Sequence, residues 1–341
     1  MSEAKKDFTP FFSVVIPLYN KEDTVLRALE SVRQQTFNDF EVIVVNDGST
    51  DNSYYVVEHY DKIKIKLLNQ ENKGVSFARN RGVEEAKAEL IAFLDADDEW
   101  KSEYLQEMKN LVHEFPDAVV YGADFEKVLP DGRVVGGKDQ STRKICNLFQ
   151  EWIGRQPIHT DGLIVRKKEF QLVGGFDVKE KYYEDVALIF QMALRYPVAI
   201  TKRVLTRYHG DAKEFTTAQL HVGGQYIYAH HKVTENALRT SEFMGIIGLR
   251  KYAAFEARKI LIKKCIMGDY TAIENAVKIL PYMTRLVWER HLYTCPLLRA
   301  VGKIVGRIVI LKNNIQFKMQ QKTNWNYEIS KLLKKLLNLL S

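Results

Sequence analysis

Through the first half of the chain, short apolar runs alternate with segments whose apolar residues recur every three to four positions. This is the pattern of a sheet joined by crossover helices. Strands are expected at Phe11 to Pro17, Phe40 to Asn46, Ile63 to Leu68, Leu90 to Leu94 and Ala118 to Tyr121. Helices are expected between them: Glu22 to Arg33, with Val25, Leu26, Leu29 and Val32 on one face, then Ser53 to Tyr60, Ser76 to Ala86 and Lys101 to Phe115. The beginning is Rossmann-like, and in open sheets of this kind ligands bind beyond the carboxyl ends of the strands. Those ends are polar: Pro17-Leu18-Tyr19-Asn20, Asn46-Asp47-Gly48-Ser49 and Asp95-Ala96-Asp97-Asp98. Three loops should therefore converge on one crevice.

After Tyr121 the pattern changes. Val128 to Val135 reads as a hairpin about the Pro130-Asp131-Gly132 turn, Lys144 to Ile153 as a helix, Gly162 to Val165 and Thr201 to His209 as strands, and Val186 to Leu194 as an apolar helix. From about Ala212 onward helical periodicity and basic residues dominate. The expected organisation is an arm over 1–10, an α/β domain over 11–215 and a mainly helical region over 216–341.

Composition adds limits. Apolar residues make up 46% and charged residues 27% of the 341, which is ordinary for a globular chain. Met1 to Pro10 lacks the apolar run of a secretory signal, and Cys146, Cys265 and Cys295 form neither a CxxC pair nor an even set. A cytoplasmic setting is expected. The net charge of +7 is unevenly placed: Arg285 to Ser341 holds eleven Lys or Arg against Glu289 and Glu328, so that segment carries +9 and the rest −2. A neutral body with a basic, leucine-rich tail points to an anionic membrane surface rather than to nucleic acid.

The candidate chemistry is carried by carboxylates. Asp95, Asp97 and Asp98 crowd one strand end, where repulsion calls for an offsetting cation. Hard oxygen donors suit Mg²⁺ or Mn²⁺, and such ions complete their shells with phosphate oxygens, which implies a phosphorylated ligand. The plainer role for Asp97 or Asp98 is capping of the helix starting near Lys101, although capping needs one carboxylate and three are present. Asp51 reads as such a cap for the helix that follows it, from Ser53. Asp47 could instead accept the N3–H of a uracil, a donor edge that thymine and guanine share. Arg79, framed by Phe77 and Ala78, has the fork geometry for carboxylate or phosphate. Glu184 and Asp185 open an apolar helix, as caps or as a general base. His209, at the end of its strand, is a surface group, a metal ligand or a diphosphate contact.

Taken in order, Phe12 to Asn20, Val44 to Asp51, Gly74 to Gly82, Phe93 to Asp98 and Glu184-Asp185 resemble the motif series of family 2 glycosyltransferases. The resemblance covers about residues 10 to 215. It implies a GT-A fold, that is, a Rossmann-like mixed sheet with flanking helices, here followed by a helical basic extension. It also implies inverting transfer of a sugar from a nucleoside-diphosphate donor, commonly a UDP-sugar, to an acceptor hydroxyl. By the same resemblance Pro17, Tyr19, Asp47, Arg79 and Asp95, with the adjoining Asn20 and Ala96, would hold the nucleotide sugar, Asp97 or its neighbour Asp98 the metal, and Asp185 would be the base beside Glu184; His209 is a further candidate metal ligand from its place at the strand end. Processive synthases similar to this family carry QxxRW and long membrane spans; Gln191 to Tyr196 has the wrong spacing and no Trp, so addition of a single sugar is implied.

Ile329, Leu332, Leu333, Leu336, Leu337 and Leu340, with Lys331, Lys334 and Lys335, form a basic amphipathic pattern. Such a helix lies in a membrane interface or packs on the catalytic domain or a second subunit. The apolar run Ile304 to Leu311 is too short to span a bilayer. At the family level, a carbohydrate or lipid-linked acceptor of surface-polysaccharide assembly would make membrane proximity useful. Competing classes are a sugar nucleotidyltransferase, which would show a glycine-rich loop where this chain has Leu18-Tyr19-Asn20-Lys21, and an inactive, tethered binding module.

Overall fold

The computed structural model describes residues 9–138, 140–153, 155–180, 182–210, 229–243, 245–266 and 278–291. Most of the expected amino-terminal arm, the apolar run at 304–311 and the basic amphipathic tail lie outside these residues. Among the described residues no helix is long and apolar enough to cross a membrane.

The chain runs β1 (Phe12–Leu18), α1 (Val25–Arg33), β2 (Phe40–Asp47), α2 (Ser53–Glu58), β3 (Ile65–Gln70), α3 (Val75–Glu85), β4 (Leu90–Phe93), β5 (Glu99–Trp100), α4 (Tyr104–Glu114), β6 (Val120–Val128) and β7 (Val134–Gly136). It continues through β8 (Arg143–Cys146), α5 (Leu148–Glu151), β9 (Leu163–Arg166), α6 (Lys167–Leu172), α7 (Glu184–Ala193) and β10 (Val198–His209). These strands form one sheet in the order β3-β2-β1-β4-β9-β6-β10-β5, with β7 on β6 and β8 on β10.

β3, β2, β1 and β4 are mutually parallel. β9 then enters antiparallel to both β4 and β6. The sheet is thus mixed. β1 is buried along its whole length, as its unbroken apolar sequence requires of a strand covered on both faces. α1 covers one face through Val25, Ala28, Leu29 and Val32. α3 lies close against β1 because Gly82 has no side chain: a Cβ there would stand 2.3 Å from a Val15 methyl.

Two local expectations give way to tertiary contacts. The helix expected over Lys144 to Ile153 is instead β8 followed by the four-residue α5, because Arg143 to Cys146 pair with Val198 to Thr201 of β10. Asp97 and Asp98 do not cap α4, whose first flanking residue is Glu103. Asp51 does serve the start of α2, accepting from Ser53 N at 2.9 Å, although Asn52 is the flanking residue.

The chain divides into two compact units, Met1–Val233 and Thr234–Ser341. The second contains most of α8 (Ala229–Arg239), then α9 (Leu249–Ile266) and α10 (Pro281–His291). The buried Glu235 carboxylate accepts from the backbone N–H of Tyr282 at 2.9 Å and Met283 at 2.8 Å, satisfying donors that the first turn of α10 leaves open.

Candidate active site

The carboxyl ends of β1, β2 and β4 open on a cleft of about 630 Å³, closed from the other side by the start of α7 and the ends of β6 and β10. Its size is that of a small-molecule site. Pro17, Tyr19, Asp47, Arg79, Asp95, Ala96, Asp97, Asp98, Glu184, Asp185 and His209 all line it. Asn20 does not. Its side chain accepts from Thr50 N at 2.8 Å and its N–H donates to Ser49 at 3.1 Å, so Asn20 ties the loop after β1 to the loop after β2. Its φ of +50° turns the chain there, and its side-chain oxygen is engaged by the neighbouring loop.

Asp47 is buried and accepts three internal hydrogen bonds, from Gln70 Nε2 at 2.7 Å, Lys73 N at 2.9 Å and Gly74 N at 2.8 Å. These bonds fix the turn that launches α3, and α3 carries Arg79. The Arg79 guanidinium is 3% exposed and forks between two carboxylates, Nη2 to Asp95 Oδ1 at 2.6 Å and Nη1 to Glu184 Oε1 at 2.9 Å, with the Phe176 ring 5.2 Å away. It joins the loop after β4 to the start of α7. Burial pushes Glu184 up to about 7, the neighbouring Asp185 adds to this, and Arg79 only partly offsets them. Burial likewise raises Asp95 against the pull of Arg79.

The acids after β4 face different ways. Asp97 is partly exposed to the cleft, its carboxylate 2.8 Å from Lys21 Nζ. Asp98 is 1% exposed, and its Oδ1 accepts from His209 N at 2.6 Å, which pins the end of β10 to this loop. Desolvation, reinforced by Asp161 and Asp97, pushes Asp98 well above the usual carboxylate range. The His209 ring lies 3.2 Å from Glu99 Oε1.

A divalent ion would find an oxygen donor in Asp97. That donor faces the cleft, and the fold already sets a cationic partner, Lys21, against it. Asp98, with His159 and Asp161, also forms a compact group of acceptor atoms, all within 4.8 Å of one another. There the atoms already satisfy one another. Asp161 Oδ1 accepts from Asp95 N at 2.8 Å, and its Oδ2 lies 2.6 Å from His159 Nδ1.

Asp161 and its neighbours are the part that sequence patterning misses. Thr160–Gly162 forms a single 3₁₀ turn ahead of β9. Gly162 permits it, since a Cβ at that position would stand 2.7 Å from the Ala123 carbonyl oxygen. Trp100 Nε1 donates to the Asp161 carbonyl at 2.6 Å, and Thr160 Oγ1 donates to Asp185 Oδ2 at 2.7 Å. For Asp161, burial would raise the carboxyl, but His159 and the Asp95 N–H outweigh it and hold it below the ordinary range. For His159, burial opposes the charge, and Asp161 outweighs it. The one available signal is an acid and a glycine at the head of a strand.

α7 begins abruptly. Tyr183 takes φ +58° and ψ +28°, a left-handed conformation uncommon for a residue with a side chain, and Glu184 and Asp185 follow in the first turn. Strain of this kind concentrates where a site fixes its backbone.

A mixed sheet flanked by helices, with acidic loops at the carboxyl ends of its strands, defines a GT-A type α/β fold. Residues 13–149 match the model of glycosyl transferase family 2. Similar proteins include the putative glycosyltransferase EpsH of Bacillus subtilis, 40% identical over 122 residues, 35% of this chain and 36% of that protein. The amylovoran biosynthesis glycosyltransferase AmsB of Erwinia amylovora is 39% identical over 106 residues, 30% of this chain and 35% of its own. The match thus spans about a third of the length of these relatives. Among solved structures, S. aureus TarS 1–349 in complex with UDP-GlcNAc shares the fold, with a TM-score of 0.60 at 19% identity over 82% of this chain and 87% of that one.

Proposed function

We propose that this protein is an inverting glycosyltransferase that moves one sugar from a UDP-sugar to an acceptor hydroxyl in polysaccharide or glycolipid assembly. The observation that carries the reading is the convergence of Asp97, Arg79, Asp95, Glu184 and Asp185 on one cleft, from three elements far apart in sequence. The relative bound to UDP-GlcNAc supports the donor class.

In this reading Pro17 and Tyr19 flank the nucleoside, Asp47 and Arg79 shape the base side, and Asp95 the ribose side. A divalent ion held by Asp97, with His209 nearby, would neutralise charge on the diphosphate as it departs. Asp185, oriented by Thr160, takes the acceptor hydroxyl's proton. The oxygen then forms its bond to the anomeric carbon while the carbon–diphosphate bond breaks, with its electron pair leaving on UDP. Attack opposite the leaving group inverts the anomeric centre. Work at the cytoplasmic face of a membrane, on a lipid-linked acceptor, belongs to the same proposal.

The test is release of nucleoside diphosphate by purified protein from a panel of nucleotide sugars, with Mn²⁺, Mg²⁺ or chelator. Metal-dependent UDP release that Asp97→Ala abolishes is the expected result. Binding of UDP-sugars without turnover, even with lipid-linked acceptors present, would leave the inactive binding module as the better reading.

A further inference from the structure

β2 and β3 run parallel in a register that sets Asn46 beside Asn69 and Asp47 beside Gln70. Successive side chains alternate faces, so the two pairs lie on opposite sides of the sheet. In the first pair Asn46 Nδ2 donates to Asn69 Oδ1 at 2.9 Å, and in the second Gln70 Nε2 donates to Asp47 Oδ1 at 2.7 Å. Asp47 lines the cleft, whereas Gln70 does not. α3 braces the Gln70 amide: Arg81 Nη1, anchored on the Asn69 carbonyl at 2.6 Å, also donates to Gln70 Oε1 at 3.2 Å. With its oxygen engaged by a cation, Gln70 presents its NH₂ group to Asp47. The loops after the two strands close tightly here, since a Cβ on Gly48 would stand 2.8 Å from Asn72 N.

An ionised carboxylate only accepts, through about four lone-pair positions. On Asp47, Oδ1 takes two donors, Gln70 Nε2 and Lys73 N, while Oδ2 takes one, Gly74 N. One position on Oδ2 is left. We infer that Gln70 is a specificity-determining residue for the nucleobase of the donor: by filling Oδ1 it leaves Asp47 a single, fixed acceptor. That acceptor suits a base with a ring N–H, such as uracil, and turns away cytosine, whose N3 in the same place is itself an acceptor. The inference rests on the transferase reading, in which Asp47 shapes the base side, and deepens it. Lys73 and Gly74 donate through the backbone and hold Asp47 whatever side chains stand there. Gln70 is the side-chain donor of the three, and so the one through which the sequence tunes the acceptor. Without it Oδ1 opens to water and the carboxylate is held less firmly. Uracil N3–H then meets a less directed partner, and the repulsion of cytosine slackens.

The experiment is isothermal titration of the full chain with UDP and with CDP at one fixed concentration of Mg²⁺. The two share the ribose and the diphosphate, so the ratio of their affinities reads the base. The wild type should prefer UDP by roughly tenfold to a hundredfold, the scale of one hydrogen bond to a charged group. Gln70→Leu, close in size but without a donor, should lower that ratio about tenfold, and Arg81→Met, which removes only the brace, about threefold. A merely structural role would weaken UDP and CDP alike and leave the ratio unmoved. Gln70 and Arg81 are both partly exposed, so neither change empties a core position, and thermal midpoints identify any variant that does not fold. A wild-type ratio near one, or no binding of UDP, would remove the base-side role of Asp47 and overturn the inference with it. A wild-type preference for UDP that persists in full in Gln70→Leu, or in Arg81→Met where Gln70→Leu does not fold, would overturn the inference alone and leave the transferase reading standing.

Discussion

The Thr160 hydroxyl donates to Asp185 Oδ2 at 2.7 Å, and the adjacent Asp161 accepts the Asp95 N–H at 2.8 Å. One short turn therefore orients both the candidate base and the loop that carries Asp97. If Asp185 takes the acceptor proton, Asp185→Asn should lower kcat by roughly 10² to 10⁴ and leave donor binding intact. Thr160→Val keeps the shape and removes a hydrogen bond to a charged group, worth about 1.5 to 3 kcal/mol. It should cost kcat about tenfold or somewhat more with donor KM unchanged, as steady-state kinetics would read.

Arg79 matches two carboxylates in a buried position, and its loss leaves both without their cation. Arg79→Met should destabilise the protein by about 3 to 5 kcal/mol. Arg79→Lys keeps the charge but cannot fork to Asp95 and Glu184 together, so it should recover only part of that loss. Urea unfolding of the two variants and the wild type gives the order, and a wild-type midpoint for Arg79→Met would contradict the bridge.

Glu184 titrates near 7 in the fold against an ordinary 4.5, chiefly because it is buried. Between these values the folded state binds more protons than the unfolded one, so the Glu184 contribution to stability falls as pH rises from about 4.5 to about 7. Glu184→Gln removes that dependence. The stability difference between Glu184→Gln and wild type should therefore shift in the variant's favour across this window and stay level outside it. Thermal melts at half-unit pH steps measure the shift.

How far the sequence reveals this site depends on whether a residue's partners are local. Asp95, Asp97 and Asp185 can be read because strand and helix periodicity places them at element ends, where open sheets bind ligands. Asn20 has the same position, yet its φ of +50° and its bond to Thr50 tie it to the loop after β2, which periodicity does not encode. Asp161 is invisible for another reason: the group it holds, Asp95 N, lies 66 residues away, and no spacing marks the pair. The strand β8 is hidden likewise, since its edge pairing with β10 outweighs a helical pattern.

Lys21 and Asp97 form a pair that metal binding would have to break, since the ammonium stands 2.8 Å from the carboxylate facing the cleft. Both side chains are about one-fifth exposed, so the pair itself is worth little, on the order of 1 kcal/mol or less. Its competition with a divalent ion is the measurable consequence. In Lys21→Met the Asp97 carboxylate has lost that competitor, and half-saturation with Mn²⁺ should fall severalfold when read by isothermal titration in the absence of nucleotide. With nucleotide present the same variant also loses a cation near the diphosphate, so the gain in metal affinity should shrink. Asp97→Asn supplies the control: its half-saturation should rise at least tenfold in both conditions. Equal Mn²⁺ binding by wild type and Asp97→Asn would move the ion away from this carboxylate and toward the buried group of Asp98, His159 and Asp161.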